Sequence, residues 1–458
     1  MATVASRPQD VPRAGILGWL LFDCSTQPFY TLVTTFVFAP FFAAAVASSP
    51  VEGQALWGYA TAAAGLVIAL TAPLLGAVAD AAGRRKPFVA LFGFMMAAAS
   101  AGLWFVVPGA PMAVPLALLL FAIGTIGVEY AAVFNNAMIP SLVPPERIGR
   151  LSGTGWAVGY IGGLVSLALT LALMAGDPVT GKTLAGLDPI FGLDPALREG
   201  DRAVGPLSAL WFAVFVTPLL LFTPDTPGRM RVGEAVRAGA GSLLETLRSL
   251  RQMKDAAFFL AANMIYTDGL IALFAFGGVY AAGVLGWGTI EIGIFGILLT
   301  ITGTIGAFVG GRLDDRFGSK PVVLGALGLL TAAAVGILSI DPAHVLFVVP
   351  VTPPAPGDGL YASWPEKLYL VLGGLIGLAA GPVQAASRTL LCRVAPADRI
   401  GQFFGLFALT GKITSFMGPL LVGLTTQLSG SQRFGVVPLI GLFLVGGVLL
   451  LKVRVRRP

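Results

Sequence analysis

Gly76-Ala-Val-Ala-Asp80-Ala-Ala-Gly83-Arg84-Arg85-Lys86-Pro87 and Gly311-Arg-Leu-Asp-Asp315-Arg-Phe-Gly318-Ser-Lys320-Pro321 are two copies of one pattern, G-x-x-x-D-x-x-G followed by base and proline. Each copy lies between two apolar runs, and the copies are 235 residues apart. A second stretch recurs with them. Pro144-Pro-Glu146-Arg147-Ile148-Gly149-Arg-Leu-Ser-Gly153 matches Pro396-Ala-Asp398-Arg399-Ile400-Gly401-Gln-Phe-Phe-Gly405 at an offset of 252. Two motifs in one order at nearly one offset define two related halves. The 17 extra residues are absorbed by the proline-rich insertion around Pro350–Pro365. Parallel repeats of membrane-embedded halves mark transporters.

Composition supports the membrane. The chain is 56% apolar and 11% charged, with mean hydropathy +0.85, whereas a soluble chain carries about a quarter charged residues. Its apolar runs approach the ~20 residues that cross a bilayer. We assign twelve spans at 15–45, 56–79, 88–107, 113–137, 151–175, 207–223, 256–283, 289–311, 321–341, 368–391, 401–428 and 434–451. The tail Met1–Arg13 runs into the first span without a clear cleavage site, so that span reads as uncleaved. Cys24 and Cys392 fall on different spans, which implies no disulfide framework. Alternate connections hold Arg84, Arg85 and Lys86; Arg147 and Arg150; Arg229 to Lys254; Arg312, Arg316 and Lys320; Arg393 and Arg399; and Lys452 to Arg457. The opposite connections hold only Lys182, Arg198, Arg202, Lys367 and Arg433. The formal charge of +6 is thus a topology signal that places both termini in the cytoplasm, not a nucleic-acid footprint. The expected order is an N-terminal bundle (1–223), a cytoplasmic linker (224–255) and a C-terminal bundle (256–458). Leu243, Leu244, Leu247 and Leu250 predict an amphipathic linker helix lying on lipid headgroups.

Span 1 is interrupted by Asp23-Cys-Ser-Thr-Gln-Pro28. Pro28 removes a backbone donor, so the helix should kink or unwind beside an ionisable residue, a pointer to a ligand or ion site. Span 4 carries Glu129-Tyr130 and Asn135-Asn136, and span 7 carries Tyr266-Thr-Asp268-Gly269. Span 10 carries Gln384-Ala-Ala-Ser387-Arg388, and span 11 reads Gly411-Lys412-Ile-Thr-Ser415-Phe-Met-Gly418-Pro419. Glycines at 155, 159 and 163 form a packing stripe on span 5. The sole histidine, His344, has no ligand-like neighbours in sequence. No metal site and no cofactor are expected.

With these residues in view, the chain resembles the major facilitator superfamily. Within it, the stretches Asp23–Tyr30, Tyr266–Gly269, Gln384–Arg388 and Gly411–Pro419 resemble the family of the yeast vacuolar amino-acid effluxer and its bacterial relatives. The resemblance implies an all-α membrane protein with twelve transmembrane helices in two pseudo-symmetric six-helix bundles, whose spans 1, 4, 7 and 10 line a central cavity. The candidate substrate- or ion-binding residues are Asp23 and Gln27, Glu129 and Asn135, Tyr266 and Asp268, and Gln384 and Arg388, joined by Lys412 on span 11. Each charge near the bilayer centre costs ~2.5–3.5 kcal/mol even on the lenient insertion scale, so such groups need partners or water.

Asp268 and Lys412 both fall near the midplane of their spans, which suggests a charge pair. Asp23 or Glu129 is the group whose protonation is coupled to transport, because burial favours a neutral carboxylate. Gly76, Asp80, Gly83 and Arg84, with Asp315, Gly318 and Lys320 in the second half, form the candidate conformational latch. Asp80 would accept bonds from a neighbouring helix N-terminus and pair with Arg84. Gly83 and Gly318 supply turn conformations.

The reading is a secondary transporter moving a small polar solute across the cell (inner) membrane by alternating access. The substrate is an amino acid by resemblance, and the driving force is an ion gradient, protons included, or the substrate's own. A multidrug or other metabolite exporter is the alternative; a receptor or scramblase ranks lower. An aspartyl-protease reading of Asp23 and Asp268 requires a like-charge dyad that Lys412 opposes, so no enzyme is expected. The expected partners are the solute, protons and lipid, around a monomer without nucleic acid.

Overall fold

The computed structural model describes residues 11–228, 230, 232–250, 252–287, 289–341, 343–352 and 360–455. The fold is almost entirely helical. Twelve helices among the described residues are long and apolar enough to cross a membrane: Arg13–Val46, Glu52–Ala82, Lys86–Phe105, Ala113–Ala137, Pro145–Met174, Glu199–Phe222, Lys254–Gly278, Glu291–Phe317, Ser319–Leu338, Trp364–Val394, Ala397–Ser429 and Phe434–Leu451. They are spans 1 to 12 below. One two-stranded antiparallel ribbon, His344–Val345 with Val349–Pro350, stands between spans 9 and 10.

Spans 6 and 10 are among those that begin earlier than the sequence reading places them, and the charges at their starts are satisfied within the fold. In span 6, Arg202 is buried, donates to the Trp104 carbonyl at 3.0 Å and pairs with Glu199. Its guanidinium sits 4.9 Å from the Trp104 ring centroid. Span 10 starts with a capping box, in which Ser363 and Glu366 satisfy each other's backbone N–H groups.

By contacts the chain divides into two compact units. The first comprises Met1–Pro144, Val158–Leu243 and Asp398–Ala408; the second comprises Pro145–Ala157, Leu244–Ala397 and Leu409–Pro458. The boundary cuts the linker helix Val232–Ser249. The starts of spans 5 and 11 belong to a different unit from the rest of their spans. The core of the first unit is aromatic, with Trp19, Phe22, Phe38, Phe121 and Phe212 almost wholly shielded and Trp57 stacked on Phe121. In the second unit Tyr280 stacks on Tyr369, and Trp287 meets Tyr369 edge-on.

The linker helix meets span 2 through small residues. Ala235 is fully buried against Val78 and Ala82 of span 2, and Gly239 lies so close to the Val78 backbone that a Cβ would sit 2.8 Å from its nitrogen. Leu244 is exposed. The side chain of Leu247 and the whole of Arg229 lie outside the described residues.

Candidate functional site

Span 1 leaves the α-helical path where the sequence places the break, unwinding into a wider helical turn. The α-helix Arg13–Pro28 passes directly into a π-helix, Phe29–Phe36. Pro28 has no N–H to offer the carbonyl of Cys24, four residues back. That carbonyl instead accepts the indole N–H of Trp211 on span 6 at 3.1 Å. Ser25 and Thr26 donate back to the Phe22 carbonyl. Span 5 closes on this segment through glycines: a Cβ at Gly159 would meet Asp23, one at Gly162 would strike Cys24, and one at Gly163 would strike Thr31 and Gln27.

The π-helical turn presents Tyr30, which the sequence reading left out of the site. It stands seven residues after Asp23, two helical turns along. Its hydroxyl comes up to the Glu129 carboxylate of span 4, with Asp23 close enough to be felt. Asp23, Gln27, Tyr30 and Glu129 are all half-buried. Asn135, six residues further along span 4, is fully buried, and its backbone carbonyl takes the Trp19 indole N–H at 2.9 Å. Neither amide atom of its side chain has a hydrogen-bond partner among the described residues. Leaving a buried amide unsatisfied costs about 1–3 kcal/mol.

In the second unit the predicted residues fall in different settings. Tyr266 is buried in the packing between spans 7, 10 and 12, with its hydroxyl 2.6 Å from Ser387 Oγ and its ring beside Gly446. Arg388 is committed to the start of span 5. Its Nε donates to Ser152 Oγ at 2.9 Å and its Nη2 to the Ser152 carbonyl at 2.8 Å, and its guanidinium lies 5.7 Å from the Trp156 ring centroid. Gln384 donates to its own helix at the Ala380 carbonyl.

Asp268 is 3% exposed, and no ion pair joins it to Lys412 among the described residues. Its near neighbour is the Thr414 hydroxyl, but Asp268 Oδ1 and Thr414 Oγ1 both lack a hydrogen-bond partner. The expected charge pair is therefore replaced by a carboxyl facing a break. Span 11 is interrupted at Thr414–Phe416, between helices Ile400–Ile413 and Met417–Ser429. Gly418 opens the second of these flat against the Asp268 backbone.

The duplicated motifs meet crosswise. The first loop motif binds the second helix-start motif: Asp80 Oδ1 accepts the N–H of Gly401 at 3.0 Å, and Oδ2 accepts that of Gln402 at 2.8 Å. Gly76 makes the approach possible, since a Cβ there would fall 2.2 Å from the Gly401 carbonyl oxygen. The second loop motif binds the first helix start: Asp315 Oδ1 accepts the Arg150 N–H at 3.0 Å, and Gly311 packs against Gly149 and Gly153. Carboxylates at helix starts meet unsatisfied N–H groups and the positive end of the dipole. Gly83 and Gly318 take φ of 84° and 92°.

The cations differ from expectation in both places. Arg85, not Arg84, reaches Asp80, at 3.4 Å. Arg84 stands over Gly228 instead. Lys320 leaves Asp315 and caps the end of span 12, donating to the carbonyls of Leu451 and Val453 at 2.8 Å each. Arg150, from the partner helix, takes its place at 3.5 Å.

Comparison with known proteins gives this geometry its setting. The sequence profile of the family described as vacuole effluxer Atg22 like matches residues 45–458. The MFS-type transporter YxiO of Bacillus subtilis (strain 168) is 27% identical over 94% of this chain and 93% of its own length. Autophagy-related protein 22 of Cryptococcus neoformans var. neoformans serotype D (strain JEC21 / ATCC MYA-565) is 27% identical over 67% of this chain, which spans about half, 51%, of that protein. Among solved structures, the transporter FucP in the outward conformation superimposes with TM-score 0.69 at 12% identity, covering 97% of this chain and 99% of that one. The human organic anion transporter MFSD10 (TETRAN) does so with TM-score 0.66 at 17% identity, covering 97% and 100%. The fold is that of the major facilitator superfamily, and the chain belongs to the vacuole effluxer Atg22-like family within it.

Proposed function

We propose that this transporter moves a small zwitterionic solute, an amino acid, by alternating access, and that Glu129 takes up and releases a proton in each cycle. The observation that carries the reading is the group Asp23, Tyr30 and Glu129, gathered at the α-to-π junction of span 1. Two carboxylates beside one phenol suit an ammonium group. A proton is the alternative cation for the same pair. The excess of Lys and Arg on alternate connections supports a cell-membrane protein with cytoplasmic termini. In this reading the two crosswise Asp–helix contacts are cytoplasmic latches that break and re-form as the transporter cycles.

The test is uptake of labelled amino acids into proteoliposomes, with and without an imposed pH step. The expected result is uptake that follows the pH step in the parent and loses that dependence in Glu129→Gln while exchange persists. Flux indifferent to the pH step, or unaltered by both Glu129→Gln and Asp23→Asn, would overturn the reading.

A further inference from the structure

The second unit holds a cavity of about 260 Å³ that shares no residue with the polar groups assigned above. It is lined by the helix Lys254–Leu285 from Leu273 to Tyr280, by Ile337 and Tyr369, and by residues between Val422 and Leu439 around the join of spans 11 and 12. No lining residue is an acid, a lysine, an arginine or a histidine. The walls are ring faces and aliphatic side chains. The polar groups in the walls are spent inside the protein: Tyr280 donates to the carbonyls of Ile337 and Ile340, Tyr369 to that of Gly277, and Thr426 to that of Val422. Only Gln427 and Gln432, both exposed at the rim, keep side-chain carboxamides with no hydrogen bond among the described residues.

The space is made by missing side chains. At Gly423 an added Cβ would meet nothing within 4 Å, and at Gly277 nothing nearer than 3.9 Å. An apolar cavity of about 150 Å³ stays dry and already holds benzene. Apart from the two exposed glutamine carboxamides the walls offer no unspent donor and no charge, too little to compensate the desolvation of an ion, whereas stacked tyrosines favour a flat ring. Arg433, next in sequence to Gln432, is held by Asp341 at 2.9 Å and by the Leu338 carbonyl.

We propose that this cavity is a binding site for a neutral, mainly aromatic molecule of one or two rings, whose single hydrogen-bonding group meets Gln427 and Gln432. The site is separate from the group built around Glu129 and does not depend on the transport reading.

5-Fluoroindole is a suitable probe, followed by fluorine NMR with the full chain in lipid nanodiscs against empty discs of the same lipid. The expected result is saturable broadening that is lost at least tenfold in Gly423→Leu and in Gly277→Leu, whose new side chains fill the space. Binding persists in Glu129→Gln, and a fluoroindole carrying a carboxylate binds at least tenfold more weakly. Melting curves of the filled variants report their folding, and two independent positions keep the test readable if one folds poorly. Signal equal to that of empty discs, or undiminished binding in a folded filled variant, would overturn the proposal.

Discussion

The two crosswise contacts began as copies and no longer work alike. At Asp80 both carboxylate oxygens are engaged, one by Gly401 and one by Gln402, with Arg85 alongside on the same loop motif. At Asp315 one oxygen takes the Arg150 N–H, while Oδ2 has no hydrogen bond and only a 3.5 Å ion contact to the Arg150 side chain. The cation has moved from the loop motif to the helix it binds. The second copy also carries an acid the first lacks: Asp314 stands where the first has Ala79. Asp314 is 1% exposed, accepts from Ser319 at 2.9 and 3.0 Å, and pairs with Arg393 at 2.8 Å. What the copies share is the glycine-to-glycine approach and a carboxylate on backbone N–H groups. The source of the positive charge is interchangeable.

Removing each carboxylate sharpens that contrast most. A hydrogen bond to a charged group contributes about 1.5–3 kcal/mol; Asp80→Ala loses two from backbone N–H groups and one from Arg85, and Asp315→Ala loses the one from the Arg150 N–H. Ala72 and Ala307 are fully buried at equivalent places, their carbonyls facing Gly405 and Gly153 respectively. A single cysteine at Ala72 in the Asp80→Ala background should react with a maleimide on the order of a hundredfold faster than in the parent. The cysteine at Ala307 with Asp315→Ala should gain only about tenfold. Equal gains would mean that the copies remain equivalent.

The next largest effect falls on stability, and only in the second copy. Arg393→Met leaves Asp314 buried without its partner, a change that typically costs about 3–5 kcal/mol. The melting temperature of the purified protein should fall clearly. Restoring a neutral pair with Asp314→Asn in the same chain should recover most of the loss. A double variant no more stable than Arg393→Met would show that Ser319, not the ion pair, holds this corner.

Much of this was legible in the chain, and the omissions have physical reasons. The spans are readable because lipid demands long apolar runs, and the loop motifs because their glycines and acids recur. What periodicity cannot show is which copy meets which, since Asp80 and Gly401 are brought together only by tertiary packing. Choosing Arg84 over Arg85 failed for a local reason. Adjacent residues project in different directions, and Asp225 fixes the turn by accepting the N–H groups of Arg85 and Lys86 at 2.9 and 3.1 Å. Lys320 has the count to serve Asp315 but finds the free carbonyls at the end of span 12 instead. Tyr30 was within reach of the sequence, because seven residues from Asp23 is the same face of a helix. A tyrosine carries no formal charge, so the charge pattern does not mark it. The Asp268–Lys412 pair was inferred from matching depth alone, and depth does not specify azimuth.

The smallest expected effect tests whether the relocated cation matters at all. The Arg150 side chain is 59% exposed and that of Arg85 10%. An ion pair so open to solvent contributes about 0–1 kcal/mol and weakens with salt, while the Arg150 backbone N–H that binds Asp315 survives any substitution except proline. Arg150→Gln should therefore change labelling of the Ala307 cysteine less than about fivefold, and 0.5 M salt should erase the difference. Arg85→Gln should change the Ala72 cysteine more, and salt should affect it little, because its partner is shielded. Should Arg150→Gln match Asp315→Ala, the guanidinium rather than the helix start would be what the second copy grips. The two junctions would then be alike in shape and opposite in chemistry.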